Sequence, residues 1–232
     1  MQSNMDIKEI STKLSALWNL LCEEDKAAFS SAWRIQLYKK NEIIYHEGES
    51  PNYLLCLLEG KVKIYRDGVG GRSQIMRVMR PVQYFGYRAS LANEPYVTAA
   101  AAFEESTLCI IPMELINETM MHNNALCRFF IHELATDLGI ADQRTVSLTQ
   151  KHVRGRLAEA LLFLKDAYGV DDDGITLGIH LSREDLANLS NMTTSNAIRT
   201  LSSFAAEGLI TINGRNIMLR EEDKLKRISH IE

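Results

Sequence analysis

Several features that mark large classes of protein are missing from this 232-residue sequence. No apolar run approaches the roughly 18 residues of a membrane span, and the first residues lack the basic start and apolar core of a signal peptide. The cysteines form no Cys-x-x-Cys pair and no short cysteine–histidine spacing, which argues against a zinc site and a disulfide framework. We therefore expect a soluble cytoplasmic protein whose cysteines are reduced and buried, at Cys22, Cys56, Cys109 and Cys127.

An excess of basic residues is missing too. The sequence has 26 Lys and Arg against 30 Asp and Glu, a net charge of −4. This balance argues against a protein that coats nucleic acid nonspecifically, so any contact with DNA must be local and oriented. The sequence also has no nucleophile elbow, phosphate loop or metal-ligand spacing, which makes an enzyme the least favoured class.

Residues 181–220 carry the clearest pattern that is present. Ser182 and Asp185 form a capping box before a short amphipathic helix, and residues 190–192 interrupt the apolar spacing. A second helix is predicted to begin at Thr193. Two short helices joined by a tight turn are typical of a helix-turn-helix.

A small hairpin follows these two helices. Gly208 is predicted to end the second helix, and the segments 209–212 and 216–219 alternate around Asn213-Gly214, a dipeptide that favours hairpin turns. The hairpin would be the wing of a winged helix. The alternative, that the two helices are core pieces of some α+β domain, does not account for it.

The second predicted helix presents short polar side chains and one arginine. With its side chains, a helix is about 10–12 Å across and enters a major groove about 12 Å wide. The outer face has no acidic residue before Glu207, as suits a surface that approaches phosphates. The candidate DNA-contacting residues are Thr193, Thr194, Ser195, Asn196, Ile198, Arg199 and Ser202.

The first half of the chain has two rhythms. Residues 6–31 have helical spacing, whereas residues 35–111 alternate in short runs separated by glycines, which predicts an antiparallel barrel or rolled sandwich. The glycine cluster at 68–71 is interpreted as a hairpin loop, because no helix follows it to present its N-terminus to a phosphate.

A long helix is predicted from the N-cap Asn123 to about residue 148, and a new helix begins after a hinge at 149–152. One apolar stripe steps by threes and fours, which is the spacing of a self-pairing seam and predicts a two-fold dimer. The alternative is that this stripe packs on the β unit. The predicted interface residues are Ile131, Leu134, Leu138, Ala141, Thr145 and Leu148.

This order of elements resembles the CRP/FNR superfamily of bacterial transcription regulators. The resemblance rests on Glu47-Gly48-Glu49, on the run Leu-Leu-Glu-Gly-Lys-Val-Lys-Ile at 57–64, on Val-Arg-Gly-Arg-Leu-Ala at 153–158, and on the winged helix-turn-helix. It implies an α+β fold with an N-terminal cyclic-nucleotide-binding-like β-roll (jelly roll), a long dimerisation helix and a C-terminal winged helix-turn-helix.

The resemblance also implies a division of labour along the chain. We expect an effector-sensing domain over residues 1–122, a dimerisation helix over 123–149 and a DNA-binding domain over 150–232. It implies a homodimer that binds double-stranded DNA in response to a small-molecule or gas effector, and that contacts RNA polymerase if it is an activator. A second hypothesis keeps the fold but makes small-molecule binding the main role; absence of protection on DNA would favour it.

The expected effector pocket departs from the members that bind cyclic AMP. In those members a Glu holds the ribose hydroxyl and an Arg neutralises the cyclic phosphate. The matching positions here are Tyr87 and Val97, and the position that offers a hydroxyl to adenine is Ala141. We therefore expect no response to cyclic AMP. The candidate pocket residues are Gly86, Tyr87, Arg88, Val97, Thr98 and Ala141, with Arg88 either facing an anion or simply exposed.

Other members of the family sense their effectors through an iron–sulfur cluster or a haem, and the sequence does not identify a cofactor for this chain. The N-terminal cysteine cluster that holds an iron–sulfur cluster in oxygen-sensing members is absent, and only Cys22 lies in residues 1–30. His46, His122 or His132 would be axial ligands in a haem-binding member, although a lone histidine is more often a surface group.

The resemblance places the main base contacts at four of the candidate positions. Arg199 keeps the expected guanidinium, which can pair bidentately with guanine. Thr194 and Ser195 replace an Arg-Glu pair common in the family, and Ile198 either touches a thymine methyl or belongs to the helix's buried edge. We expect an operator sequence different from those of the best-known members.

Overall fold

A computed structural model describes residues 6–68 and 73–231. The chain divides into two compact units after Gly139, inside one long helix; the second unit also takes in the short segment that ends at Ile75. The predicted hairpin loop at 68–71 lies, apart from Gly68, outside the described residues.

The first unit begins with three short helices and continues as a β-roll with two more helices. The helices are α1 (Ile7–Lys13), α2 (Ser15–Trp18), α3 (Glu23–Ala32), α4 (Tyr87–Leu91) and α5 (Met113–Met120). The strands are β1 (Arg34–Tyr38), β2 (Ile43–Tyr45), β3 (Tyr53–Glu59), β4 (Val62–Asp67), β5 (Ser73–Met79), β6 (Tyr84–Phe85), β7 (Ala99–Ala102) and β8 (Ser106–Pro112).

Two four-stranded sheets form the roll, in the orders β1-β8-β3-β6 and β2-β7-β4-β5. The pairs β1–β8, β3–β8, β3–β6, β2–β7 and β4–β7 are all antiparallel. The predicted rolled sandwich is therefore confirmed.

The central run of strand β3 is apolar at every position because both faces of the strand are covered. All residues of Leu54–Leu58 are buried, because neighbouring side chains on a strand point to opposite faces. Leu55 and Leu57 join the core between the sheets, whereas Leu54, Cys56 and Leu58 join a second core under the helices. A strand covered on both faces has no need of alternating polarity.

The second core is built by helices laid on the sheet that contains β3. Its fully buried side chains include Leu14 and Leu17 from the N-terminal helices, Phe29 from α3, and Leu126 from the long helix α6 (Asn124–Gln150). Asn123 caps α6 as predicted, because its Oδ1 accepts a hydrogen bond of 3.0 Å from the Leu126 N–H.

The cysteine prediction is half wrong. Cys56 and Cys109 are buried opposite each other on β3 and β8, and all four thiols are free. Cys22, however, is exposed and caps α3 by accepting from the Asp25 N–H at 3.4 Å. Cys127 is half-buried, and its thiol donates to the Met120 carbonyl at 3.2 Å.

The second unit is the predicted winged helix-turn-helix with one further helix. It contains α7 (Val153–Tyr168), α8 (Arg183–Leu189), α9 (Thr194–Ala206), β9 (Ile210–Asn213), β10 (Asn216–Leu219) and α10 (Glu222–Ile231). Helix α7 begins at Val153, and residues 151 and 152 separate it from the end of α6 at Gln150, inside the segment 149–152 where the hinge was predicted.

Local capping sets the geometry of the two helices α8 and α9. The Ser182 hydroxyl accepts from the Asp185 N–H at 3.0 Å, and the Thr193 hydroxyl accepts from the Asn196 N–H at 3.2 Å. Between them Asn191 adopts a φ of +49°, a left-handed conformation that asparagine tolerates better than most residues. Each cap satisfies an amide that the first turn of a helix leaves without a partner.

The wing and the last helix complete the second unit. Gly214 takes the positive φ (+59°) of the hairpin turn between β9 and β10. Helix α10 was not anticipated from the sequence. Its buried residue Leu225 is 0% exposed, and Lys165 on α7 forms an ion pair with Glu222. Among the described residues, no helix is long and apolar enough to cross a membrane.

Candidate DNA-contacting helix and effector cavity

Helix α9 has one buried face and one exposed polar face. The buried residues are Ala197, Thr200, Leu201 and Phe204. Exposed side chains recur at positions i, i+4 and i+8, which places them along one face of the helix. They are Thr194, Ser195, Ile198, Arg199 and Ser202, with Thr193 exposed at the cap and Asn196 half-buried.

The exposed face is sparsely bonded. The Arg199 guanidinium donates to Asn196 Oδ1 one turn earlier, which orients its long side chain along the helix. In the described part of the chain, the side chains of Thr194, Ser195 and Ser202 make no hydrogen bond. Ile198 is 47% exposed, so it does not belong to the helix's buried edge.

The far end of α9 is fixed to α7 by an arginine. Arg154 donates two hydrogen bonds to the Glu207 carboxylate, at 2.8 and 3.0 Å, and its guanidinium lies 5.0 Å from the centre of the Phe204 ring. Hydrogen bonds from Arg154, and then from Ser203, lower the pKa of Glu207 to about 2. This bidentate pair positions the helix without using its exposed face.

The β-roll holds a cavity of about 200 Å³ at the start of α4. Gly86 precedes that helix with a φ of +88°, and an added Cβ would lie 2.9 Å from the Tyr53 carbonyl oxygen and 3.1 Å from the Tyr96 hydroxyl. Only glycine fits both the conformation and the space. Five of the six predicted pocket residues line this cavity: Gly86, Tyr87, Arg88, Val97 and Thr98.

Tyrosines form much of the cavity wall. The rings of Tyr45 and Tyr96 stack with centroids 3.8 Å apart, and the Tyr87 hydroxyl donates to Asp137 Oδ2 at 3.4 Å. Burial raises the pKa of Tyr45, and burial together with the charges of Asp137 and Glu133 raises the pKa of Tyr87. Both phenols therefore stay protonated and neutral at physiological pH.

Each arginine that lines the cavity has a carboxylate partner. Arg77 lies 2.5 Å from Asp137 Oδ2, and Arg88 lies 3.3 Å from Glu94 Oε2. Arg88 therefore has a carboxylate partner, which favours its interpretation as an exposed, ion-paired group. Val97 is 41% exposed and adds no charge at the position of the family's phosphate-binding arginine.

Ala141 is not among the described residues that line this cavity, and it is exposed. Asp137, one helical turn earlier, lines the cavity instead. Tyr45, Arg77 and Tyr96 also line the cavity and were not predicted from the sequence. Asp137 lies one helical turn before position 141 on the same face of α6, so helical spacing could have predicted it. Tyr45, Arg77 and Tyr96 lie on strands and a loop that come together only in the folded sheet.

The three histidines considered as haem ligands are dispersed. His46 and His132 are exposed, and His122 Nε2 lies 3.1 Å from Asp25 Oδ1. Within residues 6–68 and 73–231, no group of three His, Cys, Asp or Glu side chains is arranged to hold a metal ion.

The predicted dimer stripe is split between solvent and core. Ile131 is 64% exposed and Leu138 is 63% exposed, as an unpaired interface requires. Ala141 and Thr145 are exposed as well, and Leu148 is half-buried. Leu134 packs partly against the β-roll core, which is the contact that the alternative interpretation of the stripe required.

A β-roll with a lined cavity, followed by a winged helix-turn-helix, is the architecture of a transcription regulator. The cyclic nucleotide-binding domain family matches residues 35–123, and the Crp-like helix-turn-helix domain family matches residues 155–228. The chain belongs to the CRP/FNR superfamily of transcription regulators.

Known proteins align along most of the chain. It is 24% identical over 191 residues to the CRP-like cAMP-activated global transcriptional regulator of Mycobacterium tuberculosis, covering 82% of this chain and 85% of that protein. It is 24% identical to the global nitrogen regulator of a Nostoc species, covering 94% and 98%. The solved structure of FixK2 from Bradyrhizobium japonicum has the same fold, with a TM-score of 0.76 and 23% identity over 85% of this chain and 97% of that one.

Proposed function

We propose that this chain is a homodimeric, sequence-specific DNA-binding regulator whose β-roll receives an effector other than cyclic AMP. The observation that carries the proposal is the exposed face of α9. It combines Thr194, Ser195, Ile198 and Arg199 with no acidic side chain. Such a face can enter a major groove without bringing negative charge to the phosphates.

Each exposed side chain has a role that fits its chemistry. Arg199 would pair bidentately with guanine O6 and N7, and Ile198 would contact a thymine methyl group. The hydroxyls of Thr194 and Ser195, which have no partner within the described part of the chain, would donate to base edges or phosphates. The Thr193 hydroxyl is engaged in capping α9, so we assign it to positioning the helix.

Dimerisation is supported by the outer face of α6. Ile131 and Leu138 are large apolar side chains left mostly exposed on one helix. Burying each of them would contribute roughly 1.5–3 kcal/mol. A two-fold pair of α6 helices would cover both residues and would present two copies of α9 to two half-sites of one operator.

The lack of response to cyclic AMP is supported by the charges of the β-roll cavity. Arg77 and Arg88 already have carboxylate partners, and Val97 offers no cation. A cyclic phosphate would have to break one of these pairs or remain without a counter-charge. Names of relatives do not decide the effector, since proteins of equal identity to this chain are called cAMP-activated in one case and a nitrogen regulator in another.

Regulation would proceed by population shift. An effector changes DNA affinity only by the difference between its affinities for two arrangements of the dimer. If the chain is an activator, RNA polymerase is its further partner. A role on chromosomal DNA places the activity in the cytoplasm of a bacterial cell, and we assign no catalytic activity to this member of a family of regulators.

The proposal is tested by selecting operators from a random duplex library with the full-length protein. We expect a palindromic site with two half-sites about one helical turn apart. A matched control is Arg66→Ala, which removes an exposed arginine of the β-roll that pairs with Glu47 at 3.2 Å and should leave the selected site unchanged. Recovery of no enriched sequence, or of a single unpaired half-site, would contradict the proposal.

A further inference from the structure

The second unit contains a cavity of its own, of about 200 Å³, that the proposed function does not use. It lies among the C-terminal half of α6, the first half of α7 and the end of α8. Its apolar lining residues are Ile140, Leu148 and Phe163. Its polar lining residues include Arg144, Arg156 and Ser190.

Two donors among the polar lining residues are buried and have no partner within the described part of the chain. The Ser190 side chain belongs to a residue that is 3% exposed, and its hydroxyl has no hydrogen bond within the described residues. Arg156 donates through Nη1 to the Leu148 carbonyl at 3.3 Å, but its Nε is also buried and without a partner there. Buried donors are nearly always paired in folded proteins, so two of them lining one cavity indicate a missing acceptor.

The charges of this cavity favour an anion. The Arg156 guanidinium donates to a neutral carbonyl, that of Leu148, and forms no ion pair within the described residues. The acidic residue in the lining, Glu159, is already engaged by Lys151 at 2.8 Å and by the Ser147 hydroxyl. The Arg156 guanidinium, which has no carboxylate partner in the described part of the chain, therefore lines a cavity whose own carboxylate is satisfied elsewhere.

The apolar lining residues limit what kind of anion fits the cavity. Ile140 is 54% exposed and Phe163 is 43% exposed, so both have apolar surface available to a ligand. A bare inorganic anion would leave this surface in water, whereas a neutral apolar molecule would leave the Arg156 guanidinium without a counter-charge.

We propose that this cavity is a second ligand site that takes a small organic carboxylate with a short apolar body. The carboxylate would accept hydrogen bonds from Arg156 Nε and the Ser190 hydroxyl, and the apolar body would contact Ile140, Leu148 and Phe163. Arginine and carboxylate match each other in geometry as well as in charge.

Occupancy would hold α6, α7 and α8 in one arrangement, because each of these helices contributes to the lining. We expect the operator affinity to change when the site is filled. That regulatory consequence rests on the proposed function, whereas binding of the carboxylate does not.

The test uses hexanoate, 1-hexanol and inorganic phosphate, each titrated calorimetrically into the full-length protein. Hexanoate should bind at one saturable site per chain, and hexanol should bind at least about tenfold more weakly. Equal binding of hexanol would overturn the role of Arg156, and equal binding of phosphate would overturn the role of the apolar lining residues. Absence of saturable hexanoate binding would overturn the proposed site. That result is expected if water alone or a second copy of the chain fills the cavity.

Two variants locate the binding site. Ser190→Ala and Arg156→Lys should each weaken hexanoate binding by about fivefold or more, since each removes one proposed donor. The matched controls are Ser229→Ala, a 5% exposed serine whose hydroxyl already donates to the Lys226 carbonyl at 2.8 Å, and Arg66→Lys in the β-roll. Both controls should keep the wild-type affinity.

Ser190→Ala decides the outcome if Arg156→Lys does not fold, because it removes a single hydroxyl that makes no hydrogen bond among the described residues. Unchanged hexanoate affinity in a folded Ser190→Ala variant would mean that hexanoate binds elsewhere and would overturn the proposal. Hexanoate binding with no change in operator affinity would overturn only the regulatory consequence.

Discussion

The β-roll cavity and the outer face of α9 are both polar, but they treat their polar groups in opposite ways. In the cavity, Arg77 pairs with Asp137 and Arg88 pairs with Glu94. On α9, Thr194 and Ser195 are exposed and make no side-chain hydrogen bond in the described part of the chain. A charged ligand entering the cavity would have to compete with existing ion pairs, whereas DNA approaching α9 would meet the Thr194 and Ser195 hydroxyls, which have no such competing partner in the described part of the chain.

The contrast between the β-roll cavity and α9 shows which properties the family resemblance predicts. The backbone of the cavity keeps its glycine at 86 and its short helix α4, so its shape is retained while its charges are changed. The helix-turn-helix has its capping residues in place and one exposed arginine on α9, so its shape is retained, and its use on DNA is the function that we propose. Fold and DNA binding transfer along the family more safely than the identity of the effector.

The largest expected effect comes from breaking the dimer on which the α9 faces depend. Ile131→Lys with Leu138→Lys places two charges on the exposed stripe of α6 and should yield monomers that lose operator binding. Exposure of both residues means that the monomer should still fold. Analytical ultracentrifugation gives the mass, and electrophoretic mobility shift gives DNA binding.

The matched control for this variant is Met121→Lys with Ile7→Lys, which places the same charges at positions 88% and 57% exposed and outside the stripe. This control should remain dimeric. A wild-type chain that sediments as a monomer at micromolar concentration would contradict the dimer proposal.

Arg199→Ala tests the reading face directly. If the guanidinium pairs with guanine, the variant should lose about 1–3 kcal/mol of binding free energy per half-site and should relax preference at a single base pair. Titration against operators altered at each base pair measures both quantities. Uniform weakening for all sequences would make Arg199 a phosphate contact, and no weakening would remove it from the groove.

The next prediction concerns binding of cyclic AMP to the β-roll cavity. Wild-type protein should show no saturable heat of binding, because neither Tyr87 nor Val97 supplies the charge that the nucleotide needs. Val97→Arg restores a cation at a 41% exposed position and should raise the affinity by about tenfold. Micromolar binding by the wild type would show that the ion pairs of the cavity give way to the nucleotide.

The smallest expected effect concerns the Arg154–Glu207 pair at the end of α9. The pKa of Glu207 is lowered from 4.5 to about 2 in the folded protein, so its contribution to stability is full above about pH 4.5 and is lost as the pH falls towards 2. Glu207→Gln should therefore make the stability of the protein fall less steeply across this acidic range. Urea unfolding at several pH values compares the two slopes.

Glu184→Gln is a suitable control for the acid experiment, since it neutralises another carboxylate in the same unit without touching Arg154. Its slope should match that of the wild type. Identical slopes for Glu207→Gln and the wild type would mean that the pair does not stabilise the fold.

Local signals explain why most of the fold could be predicted from the sequence. The caps Ser182, Thr193 and Asn123 act within one turn of helix, and the turn at Gly214 depends on two residues, so each can be identified without knowing the rest of the chain. The exposed residues on α9 follow from helical periodicity alone. Such features need no information about distant contacts.

Features that depend on distant contacts were missed or misassigned. The pairing of Arg77 with Asp137 joins a strand to a helix, and stacking of Tyr45 on Tyr96 joins a strand to a loop. Leu134 shares the spacing of the dimer stripe, yet it packs partly on the core, because periodicity cannot tell which neighbour covers a helix face. Cys22 is exposed because it caps α3, a role for cysteine that residue type does not suggest.

The most direct test measures the operator affinity of the full-length protein at increasing cyclic AMP concentration. We predict sequence-specific binding whose dissociation constant is the same without the nucleotide and at millimolar cyclic AMP, because Arg77 and Arg88 of the β-roll cavity already have carboxylate partners and α9 binds DNA without the nucleotide. A dissociation constant that falls as cyclic AMP rises would contradict the proposal that the effector is not cyclic AMP.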